Sequence, residues 1–207
     1  MQKIKYDRHI FDNVDTPDKA YWLGFILADG YLNYNKNMLR IKLNGIDEMH
    51  LLKFINFVGG DDTMLKAEYH NTTNNKLNYV SLYSKEIKEA LVSLGIRQGK
   101  SGKETIPNIP ESLHKDLIRG IWDGDGFIRE NKTGIGLVGS YEVLSFVQQH
   151  LLKNLNIQPL KIYSHGTIFK IEYRSQKNFP QILEYLYMNS NTYLDRKYNL
   201  VQLICRG

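Results

Sequence analysis

Residues 20–30 of this 207-residue chain are Ala-Tyr-Trp-Leu-Gly-Phe-Ile-Leu-Ala-Asp-Gly, and a recognisable copy returns at residues 116–126 as Asp-Leu-Ile-Arg-Gly-Ile-Trp-Asp-Gly-Asp-Gly. The residues at positions 24, 28, 29 and 30 line up with Gly120, Gly124, Asp125 and Gly126 at a constant separation of 96. Each copy is an apolar run that predicts a buried helix ending at Asp-Gly. The sequence therefore indicates a tandem duplication.

Both predicted helices carry start and stop signals. The start signals are Thr16 and Pro17 before the first copy, and Pro110 and Ser112 before the second. Gly30 and Gly126 occupy the position of a glycine that stops a helix in the left-handed conformation.

Small residues spaced by four predict a close helix pair, because they share one face one turn apart. They are Gly24 with Ala28 in the first helix and Gly120 with Gly124 in the second. If the helices pack on these faces, Asp29 and Asp125 come together at the negative ends of two helix dipoles. A divalent cation would relieve the repulsion, and carboxylate oxygens suit Mg²⁺.

Two other interpretations were weighed. Asp-Gly after an apolar stretch is also an ordinary turn signal, but two copies with matching small residues argue against a coincidence. Small-residue spacing also occurs in membrane helix pairs, yet no uninterrupted apolar run reaches the roughly 18 residues that a span requires.

The strings WLGFILADG and IRGIWDGDG resemble the two motifs of the LAGLIDADG homing endonucleases, in the single-chain, monomeric form that carries both. The first string has Leu27 at its sixth position, where the second keeps the acid Asp123. The resemblance implies that the eighth-position acids, Asp29 and Asp125, bind metal and take part in DNA cleavage.

Composition agrees with a nucleic-acid partner without proving one. The net charge is +5 and the isoelectric point is about 9.1, which makes a polyanion a plausible partner. A single cysteine, Cys205, excludes an intramolecular disulfide framework. The charged start of the chain does not resemble a signal peptide, so we expect a cytoplasmic protein, or one inside the cell or organelle that holds its target DNA.

The repeat organises nearly the whole chain. We predict an N-terminal arm (1–16), a first half (17–98), a linker (99–109) and a second half (110–207). Beyond the first motif, the pattern predicts strands at 31–36, 38–44, 64–70 and 77–83 with helices at 47–58 and 85–94. The second half repeats this with strands at 127–131, 134–138, 160–165 and 167–174 and helices at 141–154 and 178–188. In this alignment Ile41 and Leu43 match Ile135 and Leu137, while Tyr79 and Tyr83 match Phe169 and Tyr173.

The fold class expected is α+β, a pseudo-two-fold repeat of αββαββα halves. We expect the motif helices at its centre and two antiparallel sheets forming a saddle for double-stranded DNA. Strand side chains on the exposed face can contact base edges in the major groove. The residues assigned to that face are Asn33, Asn35, Arg40, Lys42, Asn44, Lys66, Glu68, His70 and Asn78 in the first half, and Arg129, Asn131, Thr133, Lys161, Tyr163, His165, Lys170 and Arg174 in the second.

Two lysines complete the predicted catalytic set. Lys100 lies in a linker that resembles that of the family, with Lys103 as its rival, and Lys197 lies in a segment that resembles the family's terminal Leu-x-Arg-Lys element. Lys100 follows Asp29 by 71 residues, and Lys197 follows Asp125 by 72. A lysine at each position can stabilise charge on the phosphate or order the attacking water.

The function expected is site-specific, metal-dependent cleavage of both DNA strands at a long asymmetric site, as in enzymes of mobile introns. By resemblance, the products carry short 3′ overhangs. Asp29 and Asp125, helped by the carbonyls of Ala28 and Gly124, would hold Mg²⁺; we expect Mn²⁺ to substitute and Ca²⁺ to support binding only. The alternatives are a family member that only binds, as an RNA splicing maturase or DNA regulator, and a protein-interaction unit without a nucleic-acid partner.

Overall fold

The computed structural model describes residues 5–70 and 74–205. Within these ranges the chain forms seven α-helices and two four-stranded antiparallel sheets, which confirms the α+β class. No helix in the described ranges is both long and apolar enough to cross a membrane. Residues 1–4 of the predicted arm and residues 206–207 of the predicted second half lie outside the described part of the chain.

The first repeat has the predicted order αββαββα. Its elements are α1 (Pro17–Asp29), β1 (Gly30–Asn33), β2 (Met38–Asn44), α2 (Glu48–Phe57), β3 (Lys66–Tyr69), β4 (Lys76–Tyr83) and α3 (Lys85–Ser93). The sheet order is β1-β2-β4-β3. Leu39, Ile41 and Leu43 alternate with more exposed polar residues along β2, and this pattern buries one face beneath α2 and α3.

The second repeat has the same order and ends in an additional helix. Its elements are α4 (His114–Asp125), β5 (Gly126–Ile128), β6 (Ile135–Gly139), α5 (Tyr141–Leu155), β7 (Tyr163–His165), β8 (Ile168–Tyr173), α6 (Asn178–Tyr187) and α7 (Asp195–Cys205). The sheet order is β5-β6-β8-β7, equivalent to the first. The sequence pattern did not predict α7.

The two motif helices start differently. Lys19 N donates to Thr16 Oγ1 (3.3 Å), which confirms Thr16 as the cap of α1. Before α4 a 3-10 helix spans Glu111–Leu113, closed by Leu113 N donating to Pro110 O (2.9 Å). The prediction of Ser112 as a start signal for α4 is therefore wrong, because Ser112 lies inside this turn and Leu113 caps α4 without a side-chain hydrogen bond.

Both motif helices end at their Asp-Gly, but the glycines do not act as predicted. Gly126 has φ −82° and ψ 157°, and Gly30 does not have a positive φ; each is the first residue of a strand. At Gly126 the requirement for glycine is space, since a Cβ would lie 2.4 Å from both Cδ1 and O of Trp122. The prediction of left-handed terminating glycines is wrong, because each helix passes directly into an extended strand.

Strand register corrects the alignment of the two repeats. Gly30 pairs with Ile41 in the first sheet, and Gly126 pairs with Leu137 in the second, so Ile41 corresponds to Leu137 and not to Ile135. The pairing of β4 and β8 likewise makes Lys170, and not Phe169, the counterpart of Tyr79. The sequence alignment was out of register because apolar residues lie on both faces of these strands.

The described residues form two compact units that differ from the sequence halves. One contains residues 5–14 and 29–99, with the first sheet; the other contains residues 15–28 and 100–205, with the second sheet and both motif helices. The core of the first unit includes Leu39, Ile41, Phe54, Val80, Leu82 and Leu91. The core of the second includes Trp22, Phe25, Trp122, Leu137, Val147, Ile171 and Leu186.

Candidate nucleic-acid interface and catalytic residues

The motif helices α1 and α4 pack with their backbones in near contact. A Cβ at Gly24 would lie 2.1 Å from Leu117 O, and a Cβ at Gly120 would lie 2.0 Å from Tyr21 O. Only residues without a side chain fit at these two positions, so the predicted role of Gly24 and Gly120 in helix packing is confirmed. Ala28 and Gly124, one turn further along, are half-buried.

The predicted metal ligands lie at the last position of each motif helix. Asp29, which ends α1, is exposed, and Asp125, which ends α4, is half-buried. Both carboxylates are hard oxygen donors at the negative end of a helix dipole, where a cation is favoured. No cluster of three or more His, Cys, Asp or Glu side chains that could hold a metal ion occurs within residues 5–70 and 74–205.

Lys100 lies beside the end of α1. Its Nζ donates to the carbonyl of Ala28 (2.8 Å), the residue before Asp29. The rival Lys103 is exposed, and its backbone N–H donates to Lys100 O (2.7 Å). The structure therefore places the ammonium of Lys100 at the last turn of the first motif helix.

Lys197 has a more enclosed position at the end of α4. Its side chain is 4% exposed, and Nζ donates to the carbonyls of Trp122 (2.7 Å), Asp123 (2.7 Å) and Gly126 (2.5 Å). These three acceptors match the three N–H donors of an ammonium group. Lys197, in the first turn of α7, thus satisfies carbonyls on both sides of Asp125, stabilising the end of α4.

Asp123 is the centre of a buried polar cluster that sequence reasoning did not assign. Its carboxylate accepts hydrogen bonds from Tyr21 OH (2.8 Å), Tyr187 OH (2.5 Å) and Leu194 N (2.8 Å). Burial raises the pKa of the Asp123 carboxyl and raises the pKa of both tyrosines well above its usual value. The cluster joins α1, α4, α6 and the start of α7, whereas the first motif has the buried apolar Leu27 at this position.

The exposed face of the first sheet carries most of the predicted polar residues. Opposite residues in an antiparallel pair share a face, and Arg40 pairs with Ser81 while Lys42 pairs with Tyr79. Arg40 Nε donates to Ser81 Oγ (2.8 Å), and its guanidinium lies 4.6 Å from the centroid of the Tyr79 ring. The predicted residues on this face are Asn33, Arg40, Lys42, Asn44, Lys66 and Glu68; Asn35 lies in the β1–β2 turn and His70 directly follows β3. Tyr31, Tyr79 and Ser81 also lie there and were not predicted.

The assignment of Asn78 to the exposed face is wrong. Asn78 is 0% exposed and pairs with the core residue Leu43. Its Nδ2 donates to Glu48 Oε2 (2.6 Å) at the start of α2. Leu77 and Tyr79, which flank Asn78, lie on the exposed face, so hydrophobicity alone gave the wrong phase for this strand.

The exposed face of the second sheet contains Tyr163, His165 and Lys170, as predicted. Arg129 lies directly after β5 and Arg174 directly after β8, while Asn131 and Thr133 form the β5–β6 turn, where Thr133 Oγ1 donates to Asn131 Oδ1 (2.6 Å). Lys161 precedes the shortened strand β7 and lies 5.2 Å from the centroid of the Tyr163 ring.

Glu172 lies at the centre of this second face and was missed. Its carboxylate contacts Lys170 Nζ (2.5 Å), Arg174 Nη2 (2.5 Å) and Arg129 Nη1 (3.0 Å). Hydrogen bonds from Lys170 and Arg174 lower the pKa of Glu172 to about 2. Its position midway between Lys170 and Arg174, at two-residue spacing, was the signal that could have identified it.

Comparisons with known proteins give the fold a name. No protein-family model matches the sequence, and the search of curated proteins found no match. The crystal structure of full-length DUF199/WhiA from Thermatoga maritima matches with a TM-score of 0.61 and 16% identity, covering 98% of this chain and 66% of that one. This chain thus spans slightly less than two thirds of that protein.

Two structures of homing endonucleases match over most of both chains. I-WcaI bound to its DNA recognition sequence has a TM-score of 0.61 and 15% identity, covering 91% of this chain and 87% of that one. The LAGLIDADG homing endonuclease I-SmaMI bound to cleaved DNA has a TM-score of 0.56 and 12% identity, covering 94% and 89%. At these identities the similarity establishes architecture, and the α+β arrangement described above is the LAGLIDADG fold.

Proposed function

We propose that this protein is a site-specific DNA endonuclease that hydrolyses one phosphodiester in each strand with a divalent metal ion. One shared local arrangement carries the proposal. Each motif helix ends in an aspartate, and a lysine ammonium donates to the backbone of its last turn: Lys100 to Ala28 O, and Lys197 to Asp123 O. A carboxylate for a metal ion and a nearby cation are what phosphodiester hydrolysis requires.

The residues at the helix ends fit Mg²⁺. Asp29 and Asp125 offer hard oxygen ligands, with the carbonyls of Ala28 and Gly124 as the further donors. When bound, Mg²⁺ supplies Lewis-acid stabilisation of the charge that develops on the phosphate oxygens. We expect Mn²⁺ to replace it in cleavage and Ca²⁺ to support DNA binding without cleavage.

The two lysines have different parts in this proposal. Lys100 is half-buried and donates to one carbonyl next to Asp29, so its ammonium can also face a phosphate. Lys197 donates to three carbonyls and is almost fully buried, so it orients the last turn of α4 and with it Asp125. Lys197 is therefore a positioning residue in the mechanism proposed here.

The exposed faces of the sheets would bind duplex DNA. Arg, Lys and Asn side chains match the acceptor and donor patterns of guanine and adenine in the major groove. The equivalent positions of the two sheets differ, with Ser81 in the first and Glu172 in the second, so the site should be asymmetric and a monomer should suffice. Cleavage with short 3′ overhangs follows from the resemblance to the homing endonucleases, as does a role in a mobile intron.

Selection from a randomised duplex library tests this function. The purified protein is incubated with the library in Mg²⁺, and the cleaved ends are sequenced; a parallel arm in Ca²⁺ recovers bound but uncut duplexes. The proposal predicts staggered ends around one long asymmetric sequence in Mg²⁺ and enrichment of the same sequence in Ca²⁺. Absence of cleavage in Mg²⁺ together with absence of enrichment in Ca²⁺ would refute it.

The second candidate is a protein of this fold that binds nucleic acid without cutting it. The match to DUF199/WhiA favours this candidate, because the fold occurs there in a protein that is not named as an endonuclease. A DNA regulator predicts enrichment in Ca²⁺ and intact DNA in Mg²⁺. An RNA splicing maturase predicts that neither arm enriches a sequence, while the protein binds a structured intron RNA and promotes its splicing.

A further inference from the structure

The exposed face of the second sheet combines several cations with one buried anion. Glu172 pairs with Gly136 of β6, on the face opposite the buried Ile171 and Tyr173. Its side chain is only 15% exposed, although those of Lys170 and Arg174 are 31% and 66% exposed. The anion therefore lies beneath a layer of positively charged groups.

The hydrogen bonds of this cluster occupy the carboxylate. Oε2 accepts from Arg129 Nη1 (3.0 Å) and from Arg174 Nε (2.9 Å) and Nη2 (2.5 Å), and Oε1 contacts Lys170 Nζ (2.5 Å). These four contacts match the roughly four lone-pair sites of a carboxylate. Glu172 is thus committed to the neighbouring cations, whereas each guanidinium, with five N–H donors, retains donors for another acceptor.

Packing fixes the lysine of the cluster from a second side. Gly136 lacks a side chain, and a Cβ there would lie 2.2 Å from Cζ of Phe127, so this ring lies against the sheet. Lys170 Nζ lies 4.8 Å from the centroid of the same ring. Lys170 is thereby held between an aromatic face and the Glu172 carboxylate.

The first sheet provides a contrast at the same position. Ser81, the counterpart of Glu172, accepts a hydrogen bond from Arg40 and contributes no charge. The carboxylate on that face, Glu68, forms one ion pair, with Lys42 (3.0 Å), and the two side chains are 41% and 44% exposed. An exposed single pair of this kind constrains its lysine weakly, because solvent competes for both groups.

We propose that Glu172 is a specificity-determining residue, which holds Arg129, Lys170 and Arg174 in fixed positions for contacting base edges and restrains them from moving freely to phosphates. The inference rests on the proposed DNA binding by this face. Base contacts discriminate between sequences, whereas phosphate contacts add affinity for any sequence. The cluster keeps a net charge of +2, so it still attracts DNA, but with its cations in defined positions.

Glu172→Gln tests the inference, because it removes the charge and preserves the size of the side chain. Glu68→Gln is the matched control, since it makes the same change in net charge on the first sheet. Glu172→Ser, which copies Ser81 of the first sheet, is a second variant with the same expected outcome. Thermal unfolding of each variant establishes that it is folded before binding is compared.

Two measurements distinguish the variants. The first is affinity for an arbitrary duplex in Ca²⁺ at several salt concentrations; each added phosphate contact steepens the plot of log K against log salt by about 0.9. We expect Glu172→Gln to steepen it by roughly 1 to 3, and Glu68→Gln by less than about 1. The second is the sequence preference obtained by library selection, where we expect Glu172→Gln to lose discrimination of about 5-fold or more at base pairs in one half of the site.

The outcomes separate this inference from the proposed function. If the wild-type protein binds DNA but Glu172→Gln and Glu68→Gln give equal salt slopes and unchanged sequence preference, the role of Glu172 is refuted and the proposed function stands. If the wild-type protein does not bind duplex DNA even at low salt, the proposed function fails, and this inference fails with it.

Discussion

Replacement of Gly120 by alanine tests the packing of the two motif helices. The new Cβ would lie 2.0 Å from Tyr21 O and 2.8 Å from Phe25 N, and both neighbours are backbone atoms that cannot rotate away. Ordinary contact begins near 3.4 Å, so α1 and α4 must separate locally by about 1.4 Å. A gap of 0.5–1 Å already forfeits a quarter to a half of each dispersion contact along the pair.

The magnitude follows from two opposing effects. Alanine favours the helical backbone over glycine by about 1 kcal/mol. Overpacking, with the loss of contacts as the helices separate, costs roughly 3–5 kcal/mol. The net expectation is a loss of about 2–4 kcal/mol in the free energy of unfolding, or a fall of roughly 5–15 °C in Tm for a chain of this size.

Tryptophan fluorescence provides a direct assay. The chain has two tryptophans, Trp22 in α1 and Trp122 in α4, and each is 1% exposed. Denaturant unfolding followed by their emission therefore reports on this helix pair. Gln149→Ala, on the exposed side of α5, is the control for helix propensity and should change stability little. A Gly120→Ala protein as stable as the wild type, or more stable, would refute the close packing described here.

Three further predictions concern single residues. Asp123→Leu, which copies the first motif, should cost about 3 kcal/mol or more, because it leaves two tyrosine hydroxyls and a backbone N–H without their buried acceptor; chemical denaturation measures this, and an unchanged midpoint would contradict it. Asn78→Ala should lower stability without reducing affinity for DNA, whereas Lys42→Ala should do the opposite, and equal losses of affinity in binding titrations would place both side chains on one face. His150 has a pKa lowered by burial from 6.5 to about 4, so the unfolded chain binds its proton first, and stability should fall as pH drops from 6.5 towards 4; His150→Gln should remove on the order of 2 kcal/mol of that fall, and parallel stability–pH curves would refute the assignment.

Local patterns predicted most of the helices and strands. The apolar runs ending in Asp-Gly located α1 and α4, and the alternation of Leu39, Ile41 and Leu43 located β2 and its buried face. These features depend on periodicity, which neighbouring residues contain in full. The small residues at positions 24 and 120 also predicted a close helix contact, because the absence of a side chain is itself visible in the sequence.

The errors and omissions arose where distant residues decide the outcome. Asn78 lies in the core because Glu48, 30 residues earlier in the chain, accepts its hydrogen bond. Lys197 is buried because three carbonyls of the α4–β5 segment surround its ammonium group. Neither partner can be recognised from the residues adjacent to these side chains. Glu172 is different, since its two-residue spacing from Lys170 and Arg174 was visible, but an acid was not expected on a basic face.

The central claim is that each motif aspartate serves the cleavage of DNA. The most direct test uses the sequence selected by the wild-type protein, labelled separately on each strand, with the isosteric variants Asp29→Asn and Asp125→Asn in Mg²⁺. Both variants should bind this duplex in Ca²⁺ as the wild type does, and each should fail to cut at least one strand in Mg²⁺. Complete double-strand cleavage by both variants would contradict the claim.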